Sequence, residues 1–518
     1  MSNEKFNFTS KPFILVWLVS FALLGIFSFF VATHLLDRFW LFLPLGILIV
    51  VTYDSLQSKH SLRKNFPLIG RLRYLFESVR PEFRQYFFEG ELDGKPFNRR
   101  QRSIVYQRAK NQKQTISFGM QDDPNRIGYE WAAHSVYPKT VNPADLRVWV
   151  GGSSCSQPYH ASIVNIGAMS YGALSKTAIT SLNNGAMIGK FAHNTGEGGI
   201  SNFHLSGGDI IWQIGTGYFG CRDEHGHFDP KLFEEKSNYH QVKMIELKLS
   251  QGAKPGHGGL LPAHKNTPEI AAIRNIKPFT TVHSPSAHSA FSNSVELLQF
   301  IQKMRTLSGG KPVGFKICIG RKEEFIDIVK SMIVTGIKPD FITIDGAEGG
   351  TGAAPLEFID YMGMALHDAL PFAHQTLKDY GVRDEIKIFA SGKVITAFDI
   401  AKNIALGADV LYSARGMMFA LGCIQALQCD SGKCPVGIAT QDKTLYKGID
   451  ITDKSTRVAN WHKNTLDSLA DFMGACGFET LKDISPKSFF RRTAHDTNES
   501  FEEIYFKNSN KTQTIHAN

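Results

Sequence analysis

The segment KMIELKLSQGAKPGHGG, residues 243–259, decides the fold that we predict for this chain. It begins with a short apolar run and continues into a glycine-rich loop that contains lysine, which is typical of a buried strand and the loop after it. Similar runs recur along the chain, separated by helix-like stretches. The candidate strands are residues 162–166, 190–194, 243–249, 280–283, 313–317, 341–344, 387–390 and 410–412. Eight strands joined by helical crossovers predict an α/β fold, a TIM (β/α)8 barrel.

The loops after the candidate strands carry the chemistry that such a barrel needs. Active sites of TIM barrels lie where the strands end and the loops begin. Here those loops are polar or rich in glycine, for example MSYGALS (169–175), HNTGEGG (193–199) and DGAEGGTGA (345–353). We therefore expect the functional residues to gather at the carboxyl end of the barrel.

Glycines at three consecutive strand ends indicate a phosphate site. Gly349-Gly350-Thr351 follows the sixth candidate strand, Ser391-Gly392 the seventh and Arg415-Gly416 the eighth. Backbone N–H groups in such loops bind phosphate in many barrels, and glycine lets the backbone approach an anion closely. The alternative is that these glycines only turn the chain. Their recurrence favours a phosphorylated cofactor.

Two lysines lie inside apolar runs, Lys248 in IELKLS and Lys316 in GFKICI. A buried positive charge is costly without a partner. A reduced flavin carries negative charge, which a buried lysine stabilises, and such tuning is what a protein contributes in cofactor enzymes. The alternative is an ion pair with a core carboxylate such as Glu246 or Asp345.

Three of the seven cysteines, Cys423, Cys429 and Cys434, lie within twelve residues. Thiolates at short fixed spacing favour an iron–sulfur cluster. The alternatives are buried structural cysteines or a zinc site completed by a distant histidine. The other four cysteines are far apart in sequence, so a disulfide framework is not indicated and a reducing, cytoplasmic setting is expected.

A GxGxxG match at residues 215–220 follows the apolar run IIWQI. The residues after it, CRDEHGHFDP, do not open a helix, and we find no βαβ unit around it, so we reject a dinucleotide site there. Without such a site, the electrons are expected to come from a separate donor protein, a ferredoxin or an NAD(P)H-dependent reductase.

The amino-terminal region predicts a two-helix membrane anchor, residues 1–58. Residues 12–36 contain no charged side chain, and a second apolar stretch covers residues 39–56. Basic residues follow from Lys59, which predicts an inner-membrane protein with its catalytic domain in the cytoplasm. The alternative, a cleaved signal peptide, fits less well because the apolar stretch is long and lacks a cleavage site.

Three further regions complete the predicted organisation: a basic connector (59–147), the barrel (148–485) and a surface or disordered tail (486–518). The net charge of +9 comes largely from residues 59–113, beside the apolar stretches. We therefore expect no nucleic-acid partner. The connector is expected either to bind anionic lipid headgroups or to be a solvated face.

The motifs together resemble the synthase domain of the FMN-binding glutamate synthase family over roughly residues 148–485. They occur in one order: GAMSYGALS, NTGEGGIS, IELKLSQGAKPGHGG, LPAHK, SPSAH, DGAEGGTGA, LGC-x5-C-x4-CPVGIATQD and VANWHKN. With two apolar segments in front, the chain is most similar to stand-alone, membrane-anchored members of that family.

The resemblance implies an FMN site and a [3Fe-4S] cluster on Cys423, Cys429 and Cys434. The FMN contacts it implies are Ala168, Met169, Ser170, Gln213, Lys248 and Lys316, with the phosphate near Gly349, Gly350, Thr351, Ser391, Gly392, Arg415 and Gly416. It also implies a substrate pocket beside the flavin, where Lys254 binds a 2-oxoacid carboxylate or assists proton transfer, Lys248 stabilises the anionic flavin, and Glu197 and His288 lie at the edge.

The implied reaction is reductive formation of glutamate from 2-oxoglutarate and an imine derived from ammonia. This sequence has His257 and Leu260 where family members typically carry glutamate and glutamine, which puts the substrate in doubt. Two other hypotheses therefore remain: an FMN oxidoreductase with another substrate, and a membrane-bound electron relay.

Overall fold

The computed structural model describes residues 11–112 and 114–507, which belong to two compact units with a boundary between Gly94 and Lys95. The predicted connector, residues 59–147, is thus divided between the two units.

The second unit contains a closed barrel of eight parallel strands. The strands are β1 (Val164–Ile166), β2 (His193–Asn194), β3 (Ile210–Ile214), β4 (Val242–Lys248), β5 (Val313–Ile317), β6 (Phe341–Asp345), β7 (Lys387–Ser391) and β8 (Val410–Ser413). They pair in chain order, and β8 closes the barrel on β1. The predicted (β/α)8 barrel is confirmed.

One predicted strand was wrong, and one true strand was missed. Residues 280–283 lie outside the barrel, where Val282–His283 pairs antiparallel with Leu260–Leu261. The missing strand is β3, whose five residues are all buried. A strand buried on both faces shows no alternation of polar and apolar residues, so its sequence pattern does not distinguish it from other buried segments.

The GxGxxG segment also needs a correction. β3, the helix Pro230–Ser237 and β4 form a βαβ unit around it, contrary to our prediction. The helix nevertheless begins only at Pro230, where Asp229 accepts hydrogen bonds from the backbone at residues 231 and 232. The glycines therefore belong to the loop and do not open the helix.

The barrel interior is layered along the strands. Its amino-terminal layer is apolar and includes Ile211, Met244, Phe341, Phe389 and Val410. A hairpin of Arg147–Val150 and Tyr159–Ser162 packs on this layer through Val150 and Ala161. Side chains two residues further along the same strands are polar, because successive inward positions in a strand are two residues apart.

Helices surround the barrel. They are Lys176–Gly189, Pro230–Ser237, Pro268–Arg274, Ser294–Leu307, Lys322–Thr335, Leu356–Tyr361, Leu366–Asp379, Ala397–Ala405, Arg415–Leu421, Lys443–Tyr446 and Ile451–Ala475. The long last helix packs closely on Lys176–Gly189, because Gly185 leaves room for Val458; a Cβ there would lie 2.6 Å from Val458 Cγ1. It also contacts the helix Arg99–Ala109, since the amide of Asn464 donates to the carbonyl of Arg108 (2.8 Å).

The carboxyl-terminal residues up to 507 are folded, which corrects the prediction of a surface or disordered tail. Phe489–Arg492 pairs with Glu130–Ala132 on one side and Asn498–Ser500 on the other, and the short helix Phe501–Tyr505 follows. Phe489 and Phe501 are 0% and 1% exposed. Residues 508–518 lie outside the described residues.

The first unit contains two helices, Lys11–Ala32 and Phe42–Leu56, joined through a 3-10 turn at Arg38–Leu41. The stretches Pro12–Ala32 and Arg38–Leu56 are long and apolar enough to cross a membrane. The two helices contact each other, and the indole of Trp17 donates to Ser55 Oγ at 3.3 Å. The helices Ser61–Asn65 and Gly70–Phe83 and a π turn at Arg84–Phe88 follow.

Buried histidines give the folded chain an expected sensitivity to acid. Burial lowers the pKa of His204, His288, His367 and His374 to about 4 and that of His462 to about 3. Between pH 6.5 and 4 these groups bind protons only in the unfolded chain. Their contribution to the free energy of unfolding is therefore fully present above pH 6.5 and decreases as the pH falls. We expect the urea midpoint of the full-length protein to fall between pH 7 and pH 5. Carboxylates with lowered pKa act mainly below that window, so an unchanged midpoint would contradict this role of the histidines.

Candidate active site at the carboxyl end of the barrel

Two lysines lie side by side at the ends of β4 and β5. Lys248 is paired in register with Lys316, and both are buried. Lys248 Nζ lies 3.0 Å from Glu197 Oε1, and Lys316 Nζ lies 4.0 Å from Asp345 Oδ2. The ion pair with Asp345 is one of the two alternatives that the sequence suggested. The partner of Lys248 is Glu197, from the loop after β2, instead of Glu246.

Glu197 is the centre of a cluster of lysines. Burial alone would raise the pKa of its carboxyl, but Lys248, Lys254 and Lys316 together lower it below the usual value. Burial lowers the pKa of Lys248; Glu197 opposes that shift, and the neighbouring Lys316 and Lys254 add to it. The Glu197 carboxylate is therefore held ionised by three nearby lysine side chains.

A cavity opens beside this cluster. Its lining includes Glu197, Thr216, Lys248, Ser250, Gln251, Lys254, His257 and Ser286. Lys254 is 8% exposed, and its Nζ donates to the carbonyl oxygen of Gly258 at 3.3 Å. Leu260, by contrast, is 55% exposed in the outer hairpin and does not line the cavity. Of the two unusual residues in this loop, only His257 reaches the cavity.

The loop that carries Lys254 is fixed to β6. The N–H of Gly252 donates to Asp345 Oδ2 at 3.0 Å. Only glycine fits at this position, because a Cβ would lie 1.8 Å from the carbonyl oxygen of Gly346. Asp345 thus contacts both Lys316 and the loop, which holds Lys254 beside the lysine cluster.

His288 uses both ring nitrogens in contacts within the protein. Its Nε2 donates to the carbonyl of Lys248 at 2.9 Å, and its Nδ1 accepts from the hydroxyl of Tyr218 at 3.0 Å. Burial lowers its pKa to about 4, so the ring is neutral at physiological pH. His288 therefore holds the end of β4 and lies behind the cavity wall.

A polar layer lies beneath the lysines inside the barrel. Its central group is Glu246, which accepts hydrogen bonds from Asn194 (2.8 Å), Gln213 (2.6 Å) and Thr343 (2.6 Å). Gln213, one of the predicted flavin contacts, thus donates its Nε2 protons downward to Glu246. The layer separates the apolar floor of the barrel from the charged mouth.

The predicted flavin contacts after β1 lie against the loop after β2. The N–H of Met169 donates to the carbonyl of Asn194 at 3.1 Å. Gly196 allows the two loops to approach, because a Cβ there would lie 2.9 Å from the nitrogen of Ser170. Ala168, Met169 and Ser170 therefore lie on the same end of the barrel as Glu197.

Cations converge where the phosphate site is predicted. Arg415 Nη2 donates to the carbonyl of Glu348 at 2.8 Å, and its guanidinium lies 4.7 Å from the centre of the Phe97 ring. A Cβ on Gly350 would lie 2.9 Å from Arg415 Nη1, so the glycine loop and the arginine are in contact. Burial and the charge of Arg415 lower the pKa of Lys393; Glu348 opposes that shift, and Lys95 adds to it. Crowded cations of this kind are stabilised by an anion.

Two further predicted phosphate residues have different neighbours. Gly392 lies close to Leu366 and Glu348, whereas Gly416 is packed against Ser413 and Trp461. Sequence reasoning missed Lys393, although it follows Ser391-Gly392 directly. It also missed Lys95, for which the sequence gives no signal because it lies far from the barrel motifs along the chain.

The three cysteines occupy one loop after the helix Arg415–Leu421. Burial raises the pKa of Cys423 to about 12, and the charges of Cys429 and Cys434 raise it further. Cys434 is 7% exposed, and the N–H of Gln425 donates to the sulfur of Cys423 at 3.4 Å. Among the residues described, no three His, Cys, Asp or Glu side chains are close enough to hold a single metal ion.

The loop is covered by the chain before the barrel. The hydroxyl of Tyr106 donates to the carbonyl of Cys423 at 2.6 Å, and Gln425 Oε1 accepts from the N–H of Phe97 at 3.2 Å. These contacts attach the loop to the helix Arg99–Ala109 and to the chain just before it. They also connect the cysteine loop to Arg415, since Phe97 contacts both.

A closed parallel barrel with a lysine-lined cavity at the carboxyl ends of its strands defines a TIM barrel whose charged residues lie where such barrels carry their active sites. The sequence matches the conserved region in glutamate synthase over residues 152–479, which is most of the barrel unit. The chain belongs to the glutamate synthase family, and it is an oxidoreductase of the class that acts on CH–NH2 donors.

Several known proteins are similar to it. The glutamate synthase large subunit-like protein YerD of Bacillus subtilis (strain 168) is 38% identical over 470 residues, covering 82% of this chain and 89% of that protein. The archaeal glutamate synthase (NADPH) of Methanocaldococcus jannaschii is 33% identical over 364 residues, covering 70% and 67%. Among solved structures, the flavin-binding domain of Baker's yeast flavocytochrome b2 is 13% identical, with a TM-score of 0.41 over 80% of this chain and 85% of that domain.

Proposed function

We propose that this chain is a membrane-anchored enzyme that uses FMN and a [3Fe-4S] cluster to form glutamate reductively from 2-oxoglutarate and an ammonia-derived imine. The observation that carries the proposal is the cluster of Lys248, Lys254 and Lys316 around Glu197, beside a cavity at the carboxyl end of the barrel. Buried positive charge at this end of the barrel favours the binding of anions there.

The residues fit a bound FMN. Arg415, Lys393 and Lys95 crowd positive charge beside Gly350, where a phosphate would relieve the repulsion between them. Lys248 and Lys316, at the ends of β4 and β5, would lie near the flavin ring, and Lys248 would stabilise its anionic form. Ala168, Met169, Ser170, Gln213, Gly349, Thr351, Ser391, Gly392 and Gly416 remain predicted contacts.

The cysteine loop supplies the three thiols that the proposed [3Fe-4S] cluster needs. Cys423, Cys429 and Cys434 are close enough to interact electrostatically, and a backbone N–H already contacts the first sulfur. When bound, FMN supplies hydride transfer and the cluster supplies one-electron transfer.

The side chains of the cavity have separate roles in the proposed reaction. Lys254 binds a substrate carboxylate through a charge-assisted hydrogen bond. Glu197 holds Lys248 in place and keeps it from moving to the substrate. Ammonia condenses with the keto group and releases water, and two electrons and two protons then convert the imine to the amine of glutamate.

A second candidate is the same reaction with another 2-oxoacid, and His257 favours it. This residue lines the cavity, and its ring lies 5.3 Å from the ring of Phe358. A histidine where the family typically carries glutamate changes the hydrogen-bonding groups beside Lys254, which suits a 2-oxoacid other than 2-oxoglutarate.

The anchor and the electron donor belong to the same proposal. The two apolar helices of the first unit would hold the chain in the inner membrane with the barrel on the cytoplasmic side. The electrons would come from a separate protein, a ferredoxin or an NAD(P)H-dependent reductase.

The experiment that tests the proposed reaction uses the full-length chain, purified with its cofactors and reduced chemically under anaerobic conditions. We expect reoxidation of the flavin, and formation of ¹⁵N-labelled glutamate, only when 2-oxoglutarate and ¹⁵N-ammonium are both present. Reoxidation with a different 2-oxoacid in a panel would support the second candidate. Protein that binds FMN but is reoxidised by none of these acids with ammonium would overturn both.

A further inference from the structure

An exposed apolar stripe runs along the helix Gly70–Phe83 of the first unit. The spacing of its residues is that of one helix face, three or four positions apart. These large side chains are 49–64% exposed: Ile69 (52%), Leu72 (49%), Leu75 (54%), Phe76 (64%) and Phe83 (52%). Phe87 and Phe88 in the following π turn are 75% and 78% exposed. A stripe of this size that is exposed among the described residues marks a binding surface.

The helix is attached firmly to the end of the second apolar helix, Phe42–Leu56. Asp54 is 0% exposed and accepts two hydrogen bonds from Arg71, each 2.7 Å long. It also accepts the N–H of Leu68 at 3.1 Å. A buried carboxylate with a bidentate arginine is a directional contact. It therefore fixes the direction in which the helix Gly70–Phe83 leaves the apolar pair.

The charges around the stripe identify its occupant. Residues 59–84 contain seven lysines or arginines and two glutamates. Arg73 and Arg84 remain 66% and 64% exposed although each is within 4 Å of a glutamate. Arg73, Arg80 and Arg84 lie along one edge of the stripe by helical spacing. A long apolar face with a basic edge complements the acyl chains and phosphates of an anionic membrane surface.

We propose that the helix Gly70–Phe83 lies in the membrane surface, with its apolar stripe among the acyl chains and Arg73, Arg80 and Arg84 on the phosphates of anionic phospholipids. This inference rests on the proposed anchoring of Lys11–Ala32 and Phe42–Leu56. The Asp54–Arg71 contact orients the helix so that the stripe and the apolar pair enter the same bilayer.

The test uses the full-length chain in vesicles of phosphatidylcholine and phosphatidylglycerol. The photo-crosslinking residue p-benzoylphenylalanine replaces Phe76 in the stripe, and Ser78 on the opposite face in a matched control. We expect phospholipid adducts, detected by mass spectrometry, at position 76 and not at 78. A crosslinked dimer at position 76 would assign the stripe to a second copy of the chain and overturn the proposal, as would equal adducts at both positions.

A third variant separates this inference from the anchor itself. The same residue at Phe29, within the first apolar helix, reports whether that helix lies in lipid. Adducts at 29 without adducts at 76 would overturn the surface helix and leave the anchor intact, whereas no adducts at 29 would overturn the anchor.

For the arginines, we expect phosphatidylglycerol to be enriched at least about threefold among adducts at 76 over its share of the bilayer. The variant Arg73→Gln/Arg80→Gln/Arg84→Gln should remove that enrichment; an unchanged ratio would contradict the role of the arginines.

Discussion

Replacing Lys254 with alanine should lower kcat/KM for the 2-oxoacid by about 100-fold while the FMN content stays unchanged. A hydrogen bond to a charged group contributes about 1.5–3 kcal/mol, and each 1.36 kcal/mol corresponds to about a factor of ten. Among the described residues, no carboxylate lies within 4 Å of Lys254 Nζ, in contrast to Lys248 and Lys316; Lys254 Nζ contacts a carbonyl oxygen at 3.3 Å. Its ammonium group can therefore turn to a substrate without breaking an ion pair.

Steady-state kinetics and flavin release from the same preparations would measure both quantities. Lys330→Ala, on the exposed face of the helix Lys322–Thr335, is the matched control, since it removes an equal charge away from the cavity. Unchanged kcat/KM in the Lys254 variant would move carboxylate binding to another residue. Loss of flavin together with activity would instead make Lys254 a cofactor contact.

The sequence was sufficient to predict the barrel because most of the barrel strands are short apolar runs followed by glycine-rich loops. The exception, β3, is instructive. Its residues IIWQI are buried on both faces, and the glycine motif behind them resembles a nucleotide-binding loop. Residues 280–283 carry the β-branched composition of a strand but form an outer hairpin, because composition does not specify which sheet a strand joins.

Charge pairing at the site depended on tertiary structure. Lys248 has a carboxylate two residues earlier in its own strand, Glu246. Both side chains point into the barrel but at different depths, so they do not pair. In the structure, Lys248 forms an ion pair with Glu197, which belongs to a loop after another strand. Glu246 instead accepts hydrogen bonds from neutral side chains. Lys95 shows the same limit, since only folding brings a residue from before the barrel to Arg415 and Lys393. The sequence therefore predicted which cysteines and glycines form motifs. It did not predict which side chains from different loops would contact each other.

Replacing Cys434 with serine should remove the iron–sulfur cluster and leave FMN bound. A three-cysteine site has no spare ligand, and a serine hydroxyl is a poor replacement for a soft thiolate. Cys434 is the most buried of the three thiols, so no water or other ligand reaches its position easily. We expect iron and acid-labile sulfide to fall from about three and four per chain, the content of one [3Fe-4S] cluster, to near zero. The loss should appear in the electron paramagnetic resonance spectrum of the oxidised protein.

The control for this change is Cys476→Ser, because Cys476 is a free cysteine at the end of the helix Ile451–Ala475, outside the loop. It should keep both cofactors. Retained iron in the Cys434 variant would exclude this residue as a ligand and favour buried structural cysteines. Loss of FMN as well as iron would mean that the cluster maintains the loop against Phe97, and through it the position of Arg415. The ratio of flavin to iron therefore distinguishes a redox role of the cysteines from a structural one.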